Sequence, residues 1–237
     1  MFVSGSDMEQ ASAAFATGAA LFSHVCRIGD GICREDTNLS EEIVKRSYKV
    51  LLFAASLFDY AAELTKKCTP AGSKDTSDML CSGAGVTLSA VFKDLCVAQA
   101  QEITLRQGAA GRTNPKLLSE ISSDSHSKYN ALSKTLKSLP VSQRHKSGKQ
   151  VPSLLNQLRA FAEWKAQYYK AVCLFYLGLV EWGKGDAEGC GKSIHAFKQS
   201  IAAFESLEKE SSSLGDYTLF YRKEKSERSA ANWLERL

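Results

Sequence analysis

A chain of 237 residues that is 44% apolar and 24% charged has the length and composition of a folded globular protein, with one domain or two small ones. No stretch is apolar for long enough to cross a bilayer; the best run, Ala171 to Val180, reaches about half the length required. The net charge of +4 is unevenly spread: Ser125 to Ala162 holds seven of the basic residues (Lys128, Lys134, Lys137, Arg144, Lys146, Lys149, Arg159) and no acidic one. This stretch can face an anionic surface, but between Lys128 and Arg159 only Tyr129 could stack on a base, so no nucleic acid is expected as a partner.

Four prolines and an abundance of Ala, Leu, Lys, Glu and Ser favour helix, and the periodicity predicts helix almost everywhere. The first helix spans about Asp7 to Ile28, with Phe15, Leu21, Phe22 and Val25 inward, and ends near Gly29-Asp30-Gly31. The second starts from a box of Asn38 and Glu41 and runs to about Lys67, burying Tyr48, Leu51, Leu52, Ala55 and Phe58. After a loop at 73–85 the third covers Val86 to Gln107, closed by Gly108 and Gly111. Asn114-Pro115 starts a fourth, which runs to about Leu139 on a stripe of Leu118, Ile121, Tyr129, Leu132, Leu136 and Leu139. Leu117 sits at the edge of that stripe, so an exposed apolar patch and ordinary core are both open. The fifth, Leu154 to Trp182, is the most hydrophobic. The sixth, Glu188 to Glu210, places Ile194, Phe197, Ile201, Phe204 and Leu207 on one side, and a short seventh is expected within 219–237.

The expected fold is therefore all-α, a bundle or solenoid of long antiparallel helices with tetratricopeptide-like hairpins, although no strict 34-residue period is present. Seven cysteines (26, 33, 68, 81, 96, 173, 190) without a close pair read as reduced thiols of a cytoplasmic protein. No metal or other cofactor is expected. The four histidines (24, 126, 145, 195) have no ligand-spaced neighbours, and no serine sits in a nucleophile elbow, so an enzyme is disfavoured. Asp186 to Ser193 nearly spells a phosphate-binding loop, but an acid replaces its first glycine and a helix precedes it; a helix break and restart is the expectation.

Glu41, Lys45 and Lys49 share one face of the second helix, where a solvated Glu-to-Lys pair is the ordinary reading. The third helix carries Gln99, Gln101 and Glu102 amid small apolar residues. Polar groups buried there cost about 1–3 kcal/mol each unless hydrogen-bonded, so they mark a specific environment.

The run at 97–105, Val-Ala-Gln-Ala-Gln-Glu-Ile-Thr-Leu, resembles the Ala-Gln-Ala-Gln-Glu signature of the Bro-one domain family, of the Alix and Brox type. Phe-Ala-Ala-Ser-Leu-Phe at 53–58 resembles the helix before that signature, Pro115 to Tyr129 the helix after it, and Trp164 to Leu207 a later hairpin. The resemblance covers roughly residues 9 to 225 and is nearest to the single-domain Brox type. It implies one domain over 7–237, starting after the family's small β-sheet section and ending short of its last segment, with self-association through uncovered apolar faces.

It also implies a non-catalytic adaptor in endosomal sorting and multivesicular body formation. Such a protein is cytoplasmic and peripheral to endosomes, and its groove takes the C-terminal amphipathic helix of a Snf7-type ESCRT-III subunit. By position, Leu117 and Ile121 with Leu118 are the aliphatic anchors, Glu41, Lys45 and Lys49 a charged rim, and Thr104 a wall that is aromatic in Alix. The alternatives are a helical-repeat scaffold for another peptide, or an anionic-membrane binder through Lys134, Lys137, Arg144, Lys146 and Lys149.

Overall fold

The computed structural model describes residues 5–32, 41–68, 88–139 and 154–213. They form six helices: α1 (Gly5–Ile32), α2 (Glu41–Cys68), α3 (Leu88–Ala110), α4 (Pro115–Ser138), α5 (Leu154–Trp182) and α6 (Ala187–Ser213). No strand occurs among the described residues, and the chain is all-α as its periodicity predicts. Asn38, His145, the loop at 73–85 and the expected seventh helix lie outside the described residues.

Helix ends depart from expectation where glycine was read as a stop. Helix α1 continues through Gly29-Asp30-Gly31 to Ile32. A glycine weakens a helix interior by about 1 kcal/mol but ends it only when it adopts the left-handed conformation. Helix α3 likewise passes Gly108 and ends at Ala110. There the Gly111 N–H donates to the Gln107 carbonyl (2.9 Å) and the Thr113 N–H to the Gly108 carbonyl (2.9 Å). The residue that turns left-handed is Arg112, at φ 55°.

By its internal contacts the chain divides into two compact units, Met1–Ile103 with Lys134–Pro140, and Thr104–Ser133 with Val141–Leu237. In the first, α1 and α2 form an antiparallel pair: the Tyr60 hydroxyl donates to Gln10 Oε1 (3.1 Å), and Phe15 meets Phe58 edge-on at 5.3 Å. Phe92 of α3 completes the cluster, stacked on Phe58 at 5.4 Å and edge-on to Phe22 at 5.9 Å. Lys93 and Asp59 pair beside it at 2.7 Å. Small residues let these helices approach, since Ala54, Ala61 and Ala62 are buried and a Cβ on Gly18 would stand 3.1 Å from the Phe58 ring. The expected stripe of α2 holds at Leu51, Ala55 and Phe58 but not at Leu52, which is 40% exposed. Ala54 takes the inward position instead, because the helix turns its narrow face to its neighbours.

In the second unit α4, α5 and α6 run alternately up and down. Ser119 Oγ reaches the Cys173 carbonyl (3.5 Å), His126 Nδ1 the Ala166 carbonyl (2.7 Å) and Ser133 Oγ the Glu163 carboxylate (3.4 Å), which sets α4 antiparallel to α5. Tyr168 against Phe204 (5.8 Å), Ser200 Oγ donating to the Ala171 carbonyl (2.8 Å) and Phe175 against Phe197 (5.8 Å) set α5 antiparallel to α6. Tyr129 and Leu132 of this unit, and Leu136 and Leu139 of the first, are buried as expected. The expected stripe of α6 holds in part: Leu207 is buried and Phe197 and Phe204 are half-buried, but Ile194 and Ile201 are exposed, and Ser193, Ala196 and Ser200 face inward. Here too small side chains win the inner face, because the Ser200 hydroxyl must reach a backbone carbonyl of α5.

The near-phosphate loop is a helix restart. The Gly185 N–H donates to the Trp182 carbonyl (3.2 Å) at φ 71°, and the Asp186 carboxylate accepts the Gly189 N–H (2.5 Å) as the N-cap of α6.

Candidate functional site

The start of α4 is built by its cap. Asn114 Oδ1 accepts the Lys116 N–H at 2.9 Å, and the Asn114 carbonyl accepts the first helical bond from Leu118 at 3.2 Å. This fixes the rotation of the first turn. Leu118 then points inward, 3% exposed, so close to the end of α3 that a Cβ on Gly108 would stand 2.9 Å from its Cδ2. Ser119 faces α5. Leu117 is left on the outer side, 47% exposed, with Ile121 half-buried one turn on. The hydroxyls of Ser122 and Ser125 bond back to the Leu118 and Ile121 carbonyls (2.7 and 3.0 Å), so they add no polar demand to this surface. One turn further on the same side, Lys128 and Asp124 form a 2.6 Å ion pair. An apolar pair followed by an ion pair is a surface that can hold an amphipathic helix. Leu118 supports this surface from beneath and does not line it; Thr104, at the other end of the α3–α4 turn, is exposed.

The three charged residues expected to form the rim, Glu41, Lys45 and Lys49, are all on the solvent side of α2. Lys45 Nζ lies 2.6 Å from Glu41 Oε1, and both side chains are well exposed. The lysine's hydrogen bond and charge hold the Glu41 carboxyl below its ordinary value. Lys49 is exposed one turn later. Of the basic residues considered for a membrane surface, Lys134 and Lys137 are exposed, whereas Arg144, Lys146 and Lys149 lie outside the described residues. The sequence reading missed Asp124 as the polar end of the α4 surface, although its spacing of three from Ile121 and four from Lys128 was available.

The signature polar residues separate by depth: Glu102 is 6% exposed, while Gln99 and Gln101 are half-buried. Glu102 and Lys165 are the buried charged side chains among the described residues, and Lys165 lies 5.5 Å from the Phe161 ring and 5.8 Å from that of Tyr169. No group of His, Cys, Asp or Glu among the described residues is arranged to hold a metal ion. An open cleft of about 370 Å³ runs along the α5–α6 hairpin past Leu177, Glu181, Lys192 and His195. Its charged residues are engaged locally, Glu181 with Lys184 (2.7 Å), Lys192 with Glu188 (2.5 Å), and His195 bonds Gln199 (2.9 Å). No helix is long and apolar enough to cross a membrane among the described residues.

No curated protein matches the chain by sequence. The family model described as the BRO1-like domain, the Bro-one domain anticipated from the signature at 97–105, matches residues 3–234 of the 237. The chain therefore belongs to the BRO1-like domain family, helical protein-interaction modules related to ESCRT adaptors.

Proposed function

We propose that this protein is a non-catalytic adaptor in endosomal sorting, and that it binds the C-terminal amphipathic helix of a Snf7-type ESCRT-III subunit. The observation that carries the reading is the exposure of Leu117 beside Ile121, with the Asp124–Lys128 pair at the next turn. Neither residue gains by standing in water, and an incoming helix with leucines on one face covers both. Thr104, polar where Alix has an aromatic residue, makes that contact weaker. Glu41, Lys45 and Lys49, on the solvent side of α2, are the charged contacts that the family resemblance implies.

Burying two aliphatic anchors contributes roughly 1.5–3 kcal/mol each, against the cost of immobilising a flexible tail, so micromolar-scale affinity is the ceiling. Weak single contacts suit a ligand that a filament presents in many copies, where linkage raises the effective concentration. Recruitment by such a filament would bring the protein to endosomal membranes.

The test is a titration of a Snf7-type C-terminal peptide against the wild-type protein and Leu117→Asp. The wild type is expected to bind in the micromolar range and the variant to lose at least tenfold. Equal binding by both removes Leu117 from the site and refutes the reading.

A further inference from the structure

Helix α6 carries an apolar strip that packing against α5 leaves in solvent. At about 100° per residue, Ile194, Ile201, Glu205 and Lys198 fall within roughly 60° of arc, well away from the inward Ser193, Ala196 and Ser200. Ile194 is 48% exposed and Ile201 37%. Towards α5 the strip continues over Phe197 and Phe204, half-buried against the rings of Phe175 and Tyr168 at 5.8 Å each. Branched apolar side chains repeated at seven residues and backed by aromatic rings make a seam along which helices associate.

The charges beside the strip name the partner. Lys198 and Glu205 are exposed, seven residues apart, and neither forms an ion pair with another described residue. Two turns, about 10 Å along the axis, keep them from reaching each other. Glu208, on the other edge of the strip, is already engaged within the chain, and α5 brings no exposed charge to its Phe175 side. A ligand for this strip presents an apolar group flanked by a base and an acid at the same spacing in reverse order. A second α6 running antiparallel carries that pattern. With the two-fold axis between Ile201 and Ala202, the two Ile201 side chains meet, and Lys198 of each copy stands opposite Glu205 of the other. A register centred between Ile194 and Ile201 would instead set Lys198 against Lys198, and like-charge repulsion disfavours it.

We propose that the outer face of α6 joins two copies of this chain in an antiparallel two-fold contact, with Ile201 at its centre and Lys198 of each copy paired to Glu205 of the other. This contact does not depend on the ligand proposed for Leu117 and Ile121. It goes beyond the general self-association expected from the sequence by fixing the helix, the register and the charge pairs.

The experiment is sedimentation equilibrium of the full chain from about 1 to 200 µM at two salt concentrations. A contact along one helix is small, so a dimer with a dissociation constant of about 10–100 µM is expected, weaker at high salt. Ile201→Asp is expected to weaken it at least tenfold. Lys198→Glu alone and Glu205→Lys alone each turn both ion pairs repulsive, and each is expected to weaken the dimer about tenfold. An equimolar mixture of those two variants is expected to recover it, because each strip then meets its opposite charge; recovery also shows that both variants fold. Phe53→Ala, on the exposed side of α2, is expected to sediment as wild type. A monomeric wild type throughout overturns the inference, whether another segment of the chain or a different protein covers the strip. Undiminished association in Ile201→Asp, or its loss in Phe53→Ala, places the contact elsewhere and overturns it too. So do single reversals that associate as wild type, or a mixture that fails to recover.

Discussion

The two units reach a closed core by different chemistry. The first is held by Phe15, Phe22, Phe58 and Phe92, rings without polar atoms, set among alanines. The second is built on Tyr129, Trp164, Tyr168, Tyr169 and Tyr176, with the buried Lys165 over two rings. It is also pinned across its helices by bonds from Ser119, His126 and Ser200 to backbone carbonyls. Packing alone tolerates sliding and repacking, whereas a side chain bonded to one particular carbonyl fixes register. The first unit therefore draws its stability from buried area, and the second its uniqueness from polar geometry.

The sharpest way to break this contrast is at the ring that organises the first core. Phe58→Ala is expected to cost about 3–5 kcal/mol, read by chemical denaturation and by faster hydrogen exchange of α1 and α2 amides. Ser200→Ala in the second unit removes a hydroxyl and leaves the Ala171 carbonyl without that donor. About 1–3 kcal/mol is the expected loss, and a larger cost than Phe58→Ala would reverse the comparison.

Overpacking tests the α5–α6 seam. A Cβ on Gly178 would stand 2.6 Å from the Phe197 ring, which cannot withdraw without leaving Phe175. Gly178→Ala is expected to lower stability by about 1–3 kcal/mol. Gly191, in the same hairpin but with open space around it, is the counterpart: Gly191→Ala is expected to raise stability by about 0.5–1 kcal/mol. Opposite signs in parallel melts confirm that close approach, and not helix propensity, selects Gly178.

Alkaline pH separates a buried thiol from its ordinary state. Burial pushes Cys96 of the first unit up to about 12, with a smaller contribution from Cys26. In the unfolded chain the thiol loses its proton above about 9, while in the folded protein it keeps it. The unfolded state then binds fewer protons, and stability falls as pH rises from 9 towards 12. The slope is at most about 1.4 kcal/mol per pH unit, and replacing Cys96 by Ala should flatten it. Denaturation midpoints at pH 8 and pH 10 for both proteins measure the difference. At the cap of α6, Asp186→Ala should cost about 1 kcal/mol, read as a lower thermal midpoint.

Much of the fold was legible because capping and periodicity are local. Asn114-Pro115 fixed the start of α4 to the residue, Leu154 and Trp182 bounded α5 correctly, and the acid at 186 argued against a phosphate loop and proved to be a cap. The polar signature at 97–105 pointed to the family that the chain joins. The candidate site was legible only as a list of positions. Leu117 and Leu118 are adjacent and chemically identical in sequence, and only the rotation set by Asn114 sends one inside and the other out.

From the sequence alone came the number and type of the described helices, most of their limits and the family, since each depends on neighbours within a few residues or on a contiguous motif. The tertiary structure decided which side of each helix is inner. Leu52, Ile194 and Ile201 belong to convincing apolar stripes, yet they face solvent because alanines and serines permit closer helix contact than branched side chains do. An apolar pattern limits the faces a helix can bury, but the shape and hydrogen-bonding needs of its neighbours choose among them.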